Sequence, residues 1–207
     1  MILYNPDWTT TNPWPNLFTE VKLTSVEQLS KGGCLILWGG EDIWPGYYNQ
    51  RNSAYCYTYK PTARDIKERQ YIKKAIELQI PIIGICRGAQ MLCIMAGGTL
   101  AQHIEGHEKS HDVLLSDEGN EELRCNSSHH QMMIPPPNAK VLAYALETTG
   151  YNQFNEYEKH QVVPEVVWFP TINALGIQPH QEWSNSTWNF NEYLIRKIKE
   201  YIHAMEC

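Results

Sequence analysis

Gly84-Ile85-Cys86-Arg87-Gly88 sets a thiol between two glycines at the G-x-nucleophile-x-G spacing of a nucleophile elbow. In such an elbow the reactive atom sits on a strained strand-to-helix turn, and small neighbours give it steric clearance. The same position puts Cys86 at a helix N-terminus, where the dipole and free backbone N–H groups favour a thiolate. A buried strand-end cysteine in a glycine turn would share this local sequence, so a chemical role needs a proton-transfer partner elsewhere. Gln178-Pro179-His180-Gln181-Glu182 supplies one, with two titratable groups spaced i, i+2 directly after the apolar run ALGI. An imidazole of ordinary pKa, near ~6.5, can accept and return a proton, while a carboxylate on its second nitrogen fixes the tautomer. Cys86, His180 and Glu182 together form a nucleophile, an acid–base and an orienting group for cleaving an acyl bond.

Other constellations compete for attention. His103, His107 and His111 recur every fourth residue, which on a helix would align three imidazoles for zinc, but Gly106 weakens that helix and the pattern is not H-E-x-x-H. They are expected to be solvated loop histidines. His129 and His130 form a pair with no third ligand at a suitable spacing, so no metal and no cofactor is expected. The six cysteines include no C-x-x-C pair and are expected to be reduced thiols.

The elements needed to position the triad are legible as hydrophobic patterns. Met1 to Tyr4 reads as a short buried strand, followed by the turn-rich, aromatic stretch NPDWTTTNPWPN. Cys34 to Trp38 (CLILW), stopped by Gly39-Gly40, suits a parallel strand buried on both faces. From Thr62 to Leu78 the spacing predicts an amphipathic helix with Ile66, Tyr71, Ile72, Ala75 and Ile76 on its inner face. Pro81 ends that register, Ile82 to Ile85 forms the strand that delivers Cys86, and a helical pattern resumes through Gln90, Met91 and Met95. Residues 98–150 read as loops and mixed β-structure, EVVWF and ALGIQ as two further strands, and EYLIRKIKEYIHAM as a closing amphipathic helix.

Bulk properties narrow the class. A chain of 207 residues with 43% hydrophobic composition can bury one sizeable core, so residues 1–207 are expected to form a single domain. The formal charge of -6 argues against nucleic acid as a partner. No apolar run approaches the roughly 20 residues that span a bilayer, and the start lacks the features of a signal peptide. The expectation is a soluble, cytoplasmic protein without a membrane partner.

Taken together, these residues resemble the class I glutamine amidotransferases, and within them the free-standing γ-glutamyl hydrolases of the γ-glutamyl-γ-aminobutyrate hydrolase type. Residues 39–48 look like the family's G-G-x-D-x-x-P-x-x-Y loop, and Arg64-Asp65 with Glu68 like the start of its helix before the elbow. Residues 84–90 match G-I-C-R-G-x-Q, 97–100 match G-G-T-L, and 126–131 match N-S-x-H-H-Q. The resemblance implies a Rossmann-like (flavodoxin-like) α/β sandwich with a central, mostly parallel sheet. It also implies cleavage of a γ-glutamyl amide through a thioester on Cys86, releasing glutamate and an amine. Backbone N–H groups of Gly40 and Arg87 would hold the oxyanion, and Gly39, Gln90, Ser128, His129 and His130 would border the glutamyl moiety.

Trp38 and Gln181 stand where the family usually has proline, and the region before Cys34 is shorter than usual, so local loop shape and substrate contacts there are expected to differ. Trp8, Trp14, Trp38, Trp44, Tyr47 and Tyr48 are candidates for an aromatic rim over the leaving group, with packing into the core the expected alternative. Two other functional readings stay open: a glutaminase subunit passing ammonia to a synthetase partner, and an inactive binding or regulatory module. The sequence is compatible with a homodimer without fixing the oligomeric state.

Overall fold

The computed structural model describes residues 1–7, 9–183 and 187–202. Trp8, Cys207 and the last residues of the predicted closing helix lie outside them. Among the described residues twelve strands and three α-helices follow in order: β1 (Ile2–Asn5), β2 (Thr19–Lys22), β3 (Gly33–Leu37), α1 (Ala63–Leu78), β4 (Ile82–Ile85), α2 (Arg87–Met95), β5 (Thr99–Ala101) and β6 (His103–Ile104). Then come β7 (His111–Leu115), β8 (Glu121–Cys125), β9 (Met132–Ile134), β10 (Lys140–Tyr151), β11 (Tyr157–Phe169), β12 (Ala174–Ile177) and α3 (Trp188–Tyr201).

The main sheet runs β2-β1-β3-β4-β12-β11-β10-β7-β8, with β6 paired to β10. Its first five strands are mutually parallel. From β12 onward the pairing is antiparallel. The parallel half is Rossmann-like, as the apolar runs imply: every residue of β3, β4 and β12 is buried, which is how a strand covered on both faces reads in sequence. One core cluster, around Ile36, Ile83, Ile177, Phe190 and Leu194, packs α3 on the sheet. A second, around Leu35, Ile82, Ile72, Ala75 and Leu92, packs α1 and α2 on it. No described helix is long and apolar enough to cross a membrane.

Two expectations need correction. Ile66 is 49% exposed, and in the first turns of α1 the inner positions belong to Asp65 and Glu68. The buried guanidinium of Arg87 explains the exchange, because it pairs with both carboxylates and draws that face of the helix inward. Residues 98–150 hold the expected mixed β-structure but less loop than expected, because β10 forms a long hairpin with β11 that extends the sheet. The core reading of the aromatics holds for Trp14, Trp38 and Tyr48, which are buried. The indole N–H groups of the two tryptophans donate to Asn191 at 3.0 Å and Asn5 at 2.8 Å.

The close approach of α2 to β3 depends on glycine. A Cβ at Gly88 would lie 2.5 Å from the Leu37 carbonyl oxygen, backbone that cannot step aside. Gly88→Ala should therefore destabilise the fold by about 1–3 kcal/mol, read as a lower urea midpoint at unchanged slope. An unchanged midpoint would mean that the helix and strand can separate freely.

Candidate active site

Cys86 is the N-cap of α2 and adopts φ 49°, ψ -107°, a left-handed conformation that non-glycine residues rarely take. Its backbone N–H donates to the Ile177 carbonyl at 2.7 Å, which fixes the elbow to the end of β12. Gly84 is required beneath it, since a Cβ there would sit 2.5 Å from the Gly88 carbonyl carbon. The first N–H groups of α2, including that of Arg87, have no acceptor within the helix and form a positively polarised end beside the sulfur.

His180 follows three residues after β12 ends at Ile177, so the bond from Cys86 to Ile177 brings the two distant segments together. A Cβ at Gly39 would lie 2.5 Å from His180 Cε1 and 3.5 Å from Cys86 Cβ, so both side chains crowd the same face of this glycine. His180 Nδ1 lies 2.7 Å from Glu182 Oε1, leaving Nε2 for proton exchange with the thiol. Burial opposes a charge on this imidazole, but hydrogen bonding to Cys86 and Glu182, with their negative charge, outweighs it and raises the pKa to about 9. The other described cysteines are buried, and burial pushes the thiol of Cys56 up to about 11, that of Cys93 up to about 12, and those of Cys34 and Cys125 higher still.

The glycine loop is held from the α1 side. Arg64 Nη2 donates to the carbonyls of Trp38 and Gly39, both at 2.9 Å, and its Nε meets Glu68 Oε1 at 2.7 Å. In a trans peptide the C=O and the following N–H point oppositely, so Arg64 on the Gly39 carbonyl turns the Gly40 N–H away from itself. Gly40 has φ +152°, and a Cβ there would run into Arg64 Nη1. A cavity of about 330 Å³ lies on the α1 side of this loop, lined among others by Asp7, Trp38, Arg64 and Lys67 but not by Cys86 or His180. Cys86 itself is 6% exposed, so access to the sulfur is narrow.

Of the expected substrate contacts, Gln90 is buried, with its amide donating to the Gln131 carbonyl and Gln178 Oε1, both at 3.3 Å. Ser128 is exposed. His130 contacts Asp42 at 2.9 Å, and that hydrogen bond raises its pKa. His129 is turned inward: Nδ1 lies 2.9 Å from the Gln131 carbonyl and Nε2 3.4 Å from Glu165. Reading His107 and His111 as solvated fails too, because both rings pack against the same buried Glu165.

Three supporting roles escaped the reading from sequence. The Trp183 indole stacks on the His180 ring at 4.0 Å and 9°, restricting its rotation. Asn126 accepts from the His180 N–H at 2.9 Å and donates to the His180 carbonyl, gripping the residue on both sides. Arg64 fixes the glycine loop. Asn126 and Arg64 lie in stretches that carry the family resemblance, but nothing in those stretches says which residue each would hold.

Residues 22–171 match the Peptidase C26 family. A glutamine amidotransferase-like protein of Rickettsia prowazekii is 38% identical over 95 residues, 46% of this chain and 32% of that protein. The γ-glutamyl-CDP-amidate hydrolase of Campylobacter jejuni is 32% identical over 129 residues, 62% of this chain and 56% of that enzyme. The chain thus matches less than two thirds of either relative's length. A glutamine amidotransferase of Thermotoga maritima has a similar fold, with TM-score 0.54 at 16% identity over 99% of this chain and 84% of that one.

Because Glu182 supports the raised pKa of His180, NMR titration of the ring should give a midpoint of about 9, and Glu182→Gln should lower it. The sign follows from the folded-state value lying above the ordinary one: the charged ring's contribution to stability is complete below pH ~6.5 and is lost as pH rises through about 9. An unmoved midpoint in the variant would separate Glu182 from the imidazole. Iodoacetamide near neutral pH should label Cys86 faster than Cys34, Cys56, Cys93 or Cys125 by on the order of tenfold or more, as read by peptide mass spectrometry.

Proposed function

The chain belongs to the Peptidase C26 family, within the class I glutamine amidotransferase-like superfamily, and from that premise we propose that it hydrolyses a γ-glutamyl amide through a thioester on Cys86. The observation that carries this reading is the 2.7 Å contact between His180 and Glu182 beside a cysteine held on a left-handed elbow. The Cys86 thiolate attacks the γ-carbonyl, and the carbonyl electron pair moves to oxygen. Backbone N–H groups of Gly40 and Arg87 stabilise that oxyanion, and such preorganised donors in a water-poor site are often the largest catalytic term. Imidazolium His180 gives its proton to the departing amine, and collapse forms the thioester. Water then enters, His180 takes a proton from it, and attack on the thioester releases glutamate and restores the thiol.

Glu182 and Trp183 serve this cycle by holding the ring through both half-reactions. Gln90, Gly39 and the segment around Ser128 and His130 border the glutamyl group in this reading. His129, committed to Glu165 and a carbonyl, supports the loop rather than the ligand. The likeness to a γ-glutamyl-CDP-amidate hydrolase supports a γ-glutamyl donor. The likeness to an amidotransferase-like protein leaves room for a glutaminase that hands ammonia to a synthetase partner.

A panel of γ-glutamyl amides, glutamine included, should yield free glutamate and amine with the isolated chain. Turnover restricted to glutamine and dependent on a second protein would instead favour the glutaminase reading. Cys86→Ala should lower turnover by on the order of 10⁵-fold, and adding His180→Ala should cost little more, because the two act as one unit. Activity surviving the loss of Cys86 would remove the thioester mechanism.

A further inference from the structure

We propose that His107, His111, His129 and Glu165 bind a divalent transition metal, zinc by coordination chemistry, as a closed structural site separate from the Cys86 centre. The four residues come from the loop before β7, the start of β7, the loop before β9 and the middle of β11, and their ligand atoms all lie within 4.8 Å of one another. His107 Nδ1, His111 Nε2 and His129 Nε2 approach one atom, Glu165 Oε1, at 3.2, 3.1 and 3.4 Å. A tetrahedral zinc with ligands at about 2.0–2.1 Å has ligand–ligand edges near 3.3–3.4 Å, so the three separations match the edges that meet at one corner of such a polyhedron, the carboxylate corner.

The hydrogen bonding favours a metal over a purely internal network. His111 Nδ1 faces the Lys109 carbonyl at 3.1 Å and His129 Nδ1 faces the Gln131 carbonyl at 2.9 Å. A carbonyl can only accept, so both Nδ1 atoms carry hydrogen, and in the neutral rings both Nε2 atoms turn lone pairs toward the cluster. Lone pairs facing a carboxylate oxygen repel it unless a proton or a metal cation lies between them. A proton on His111 Nε2 can serve at its 3.1 Å hydrogen bond to Glu165, whereas His129 Nε2 has no such aligned bond. Outer-nitrogen donation to a carbonyl is also the usual second-shell arrangement of metal-bound histidine. His107 Nδ1, His129 Nε2 and Glu165 Oε2 are buried and have no aligned hydrogen-bond partner among the described residues, and Glu165 is 0% exposed. Buried polar atoms of this kind call for a ligand that satisfies them.

The site would brace the catalytic frame without joining the chemistry. Glu165 accepts through its backbone from Gln178 N–H at 2.8 Å, two residues before His180. The His129 N–H donates to the His107 carbonyl at 3.1 Å, and the Ser127 hydroxyl donates to the same oxygen. Ser127 follows Asn126, which grips His180. A metal tying these segments together would stiffen the support of the base.

The test uses the full chain carrying Cys86→Ala, so that zinc cannot be held by the catalytic thiol. After chelation, zinc added in excess and then removed by desalting should leave an equimolar amount in the protein, cobalt should give the visible absorption of a tetrahedral site, and metal should raise Tm by several degrees. His111→Ala and Glu165→Gln should each lower zinc affinity beyond the roughly 10–100-fold typical of second-shell changes, while His103→Ala should bind normally. If those variants fail to fold, the cobalt spectrum and metal content of the parent protein still decide. A chelated parent that takes up neither metal and keeps its Tm would overturn the proposal, as would undiminished binding by both variants. Because these readouts involve no turnover, their failure leaves the hydrolase reading intact.

Discussion

The backbone at Cys86 stands at φ 49°, a conformation that costs a non-glycine residue on the order of 1–3 kcal/mol, and much of the surrounding structure serves to hold it there. The bond from its N–H to Ile177 fixes one side of the turn. The absence of a Cβ at Gly84 and Gly88 lets the helix press against the strand ends on the other. A sulfur presented this way projects from the C-terminal end of the parallel sheet, where open α/β sheets place their ligands. The parallel pairing of β4 with β12 also determines which distant residue the sulfur can meet, because His180 follows three residues after the end of β12.

Charge buried near the site reinforces that geometry. Arg87 points its side chain away from the chemistry into Asp65 and Glu68, so a residue whose N–H belongs to the elbow is anchored to α1 by two ion pairs. Glu68 also holds Arg64, whose guanidinium orients the carbonyls of the glycine loop. Removing one partner from such a buried group is far more damaging than replacing the whole cluster by apolar residues, because it leaves an unpaired charge. On the other side, Asn126 and Trp183 restrict His180, and the Glu165 cluster lies behind the loop that carries Asn126. His180 and the Gly39-Gly40 loop are thus each supported by buried polar groups on elements remote in sequence.

The apolar runs of β3, β4 and β12 could be read in advance because strands covered on both faces contain little else. The thiol between glycines and the histidine–glutamate pair could be read because their chemistry depends on short spacings along the chain. α1 was legible as a helix but not in its orientation at the N-terminal end: a hydrophobic pattern places Ile66 inside, whereas the ion pairs of Arg87 put Asp65 and Glu68 there. The full length of the β10–β11 hairpin escaped because residues 157–162 of β11 are exposed or half-buried on both faces and so lack the alternation of a half-buried strand.

By itself the sequence determined the glycine-flanked turn at Cys86 and marked Cys86, His180 and Glu182 as residues able to act as nucleophile, base and orienting carboxylate, since each pattern is encoded within a few neighbouring positions. Only the tertiary structure decided that His107 and His111 are turned inward from their loop and strand, and that both converge with His129 on Glu165. It likewise decided that Arg64, Asn126 and Trp183 hold the site in place. The physical reason is one of range: backbone turns and strand burial are governed by local sterics and composition, whereas convergence of side chains from β7, β11 and their loops depends on strand order and register. No spacing along the chain records that order.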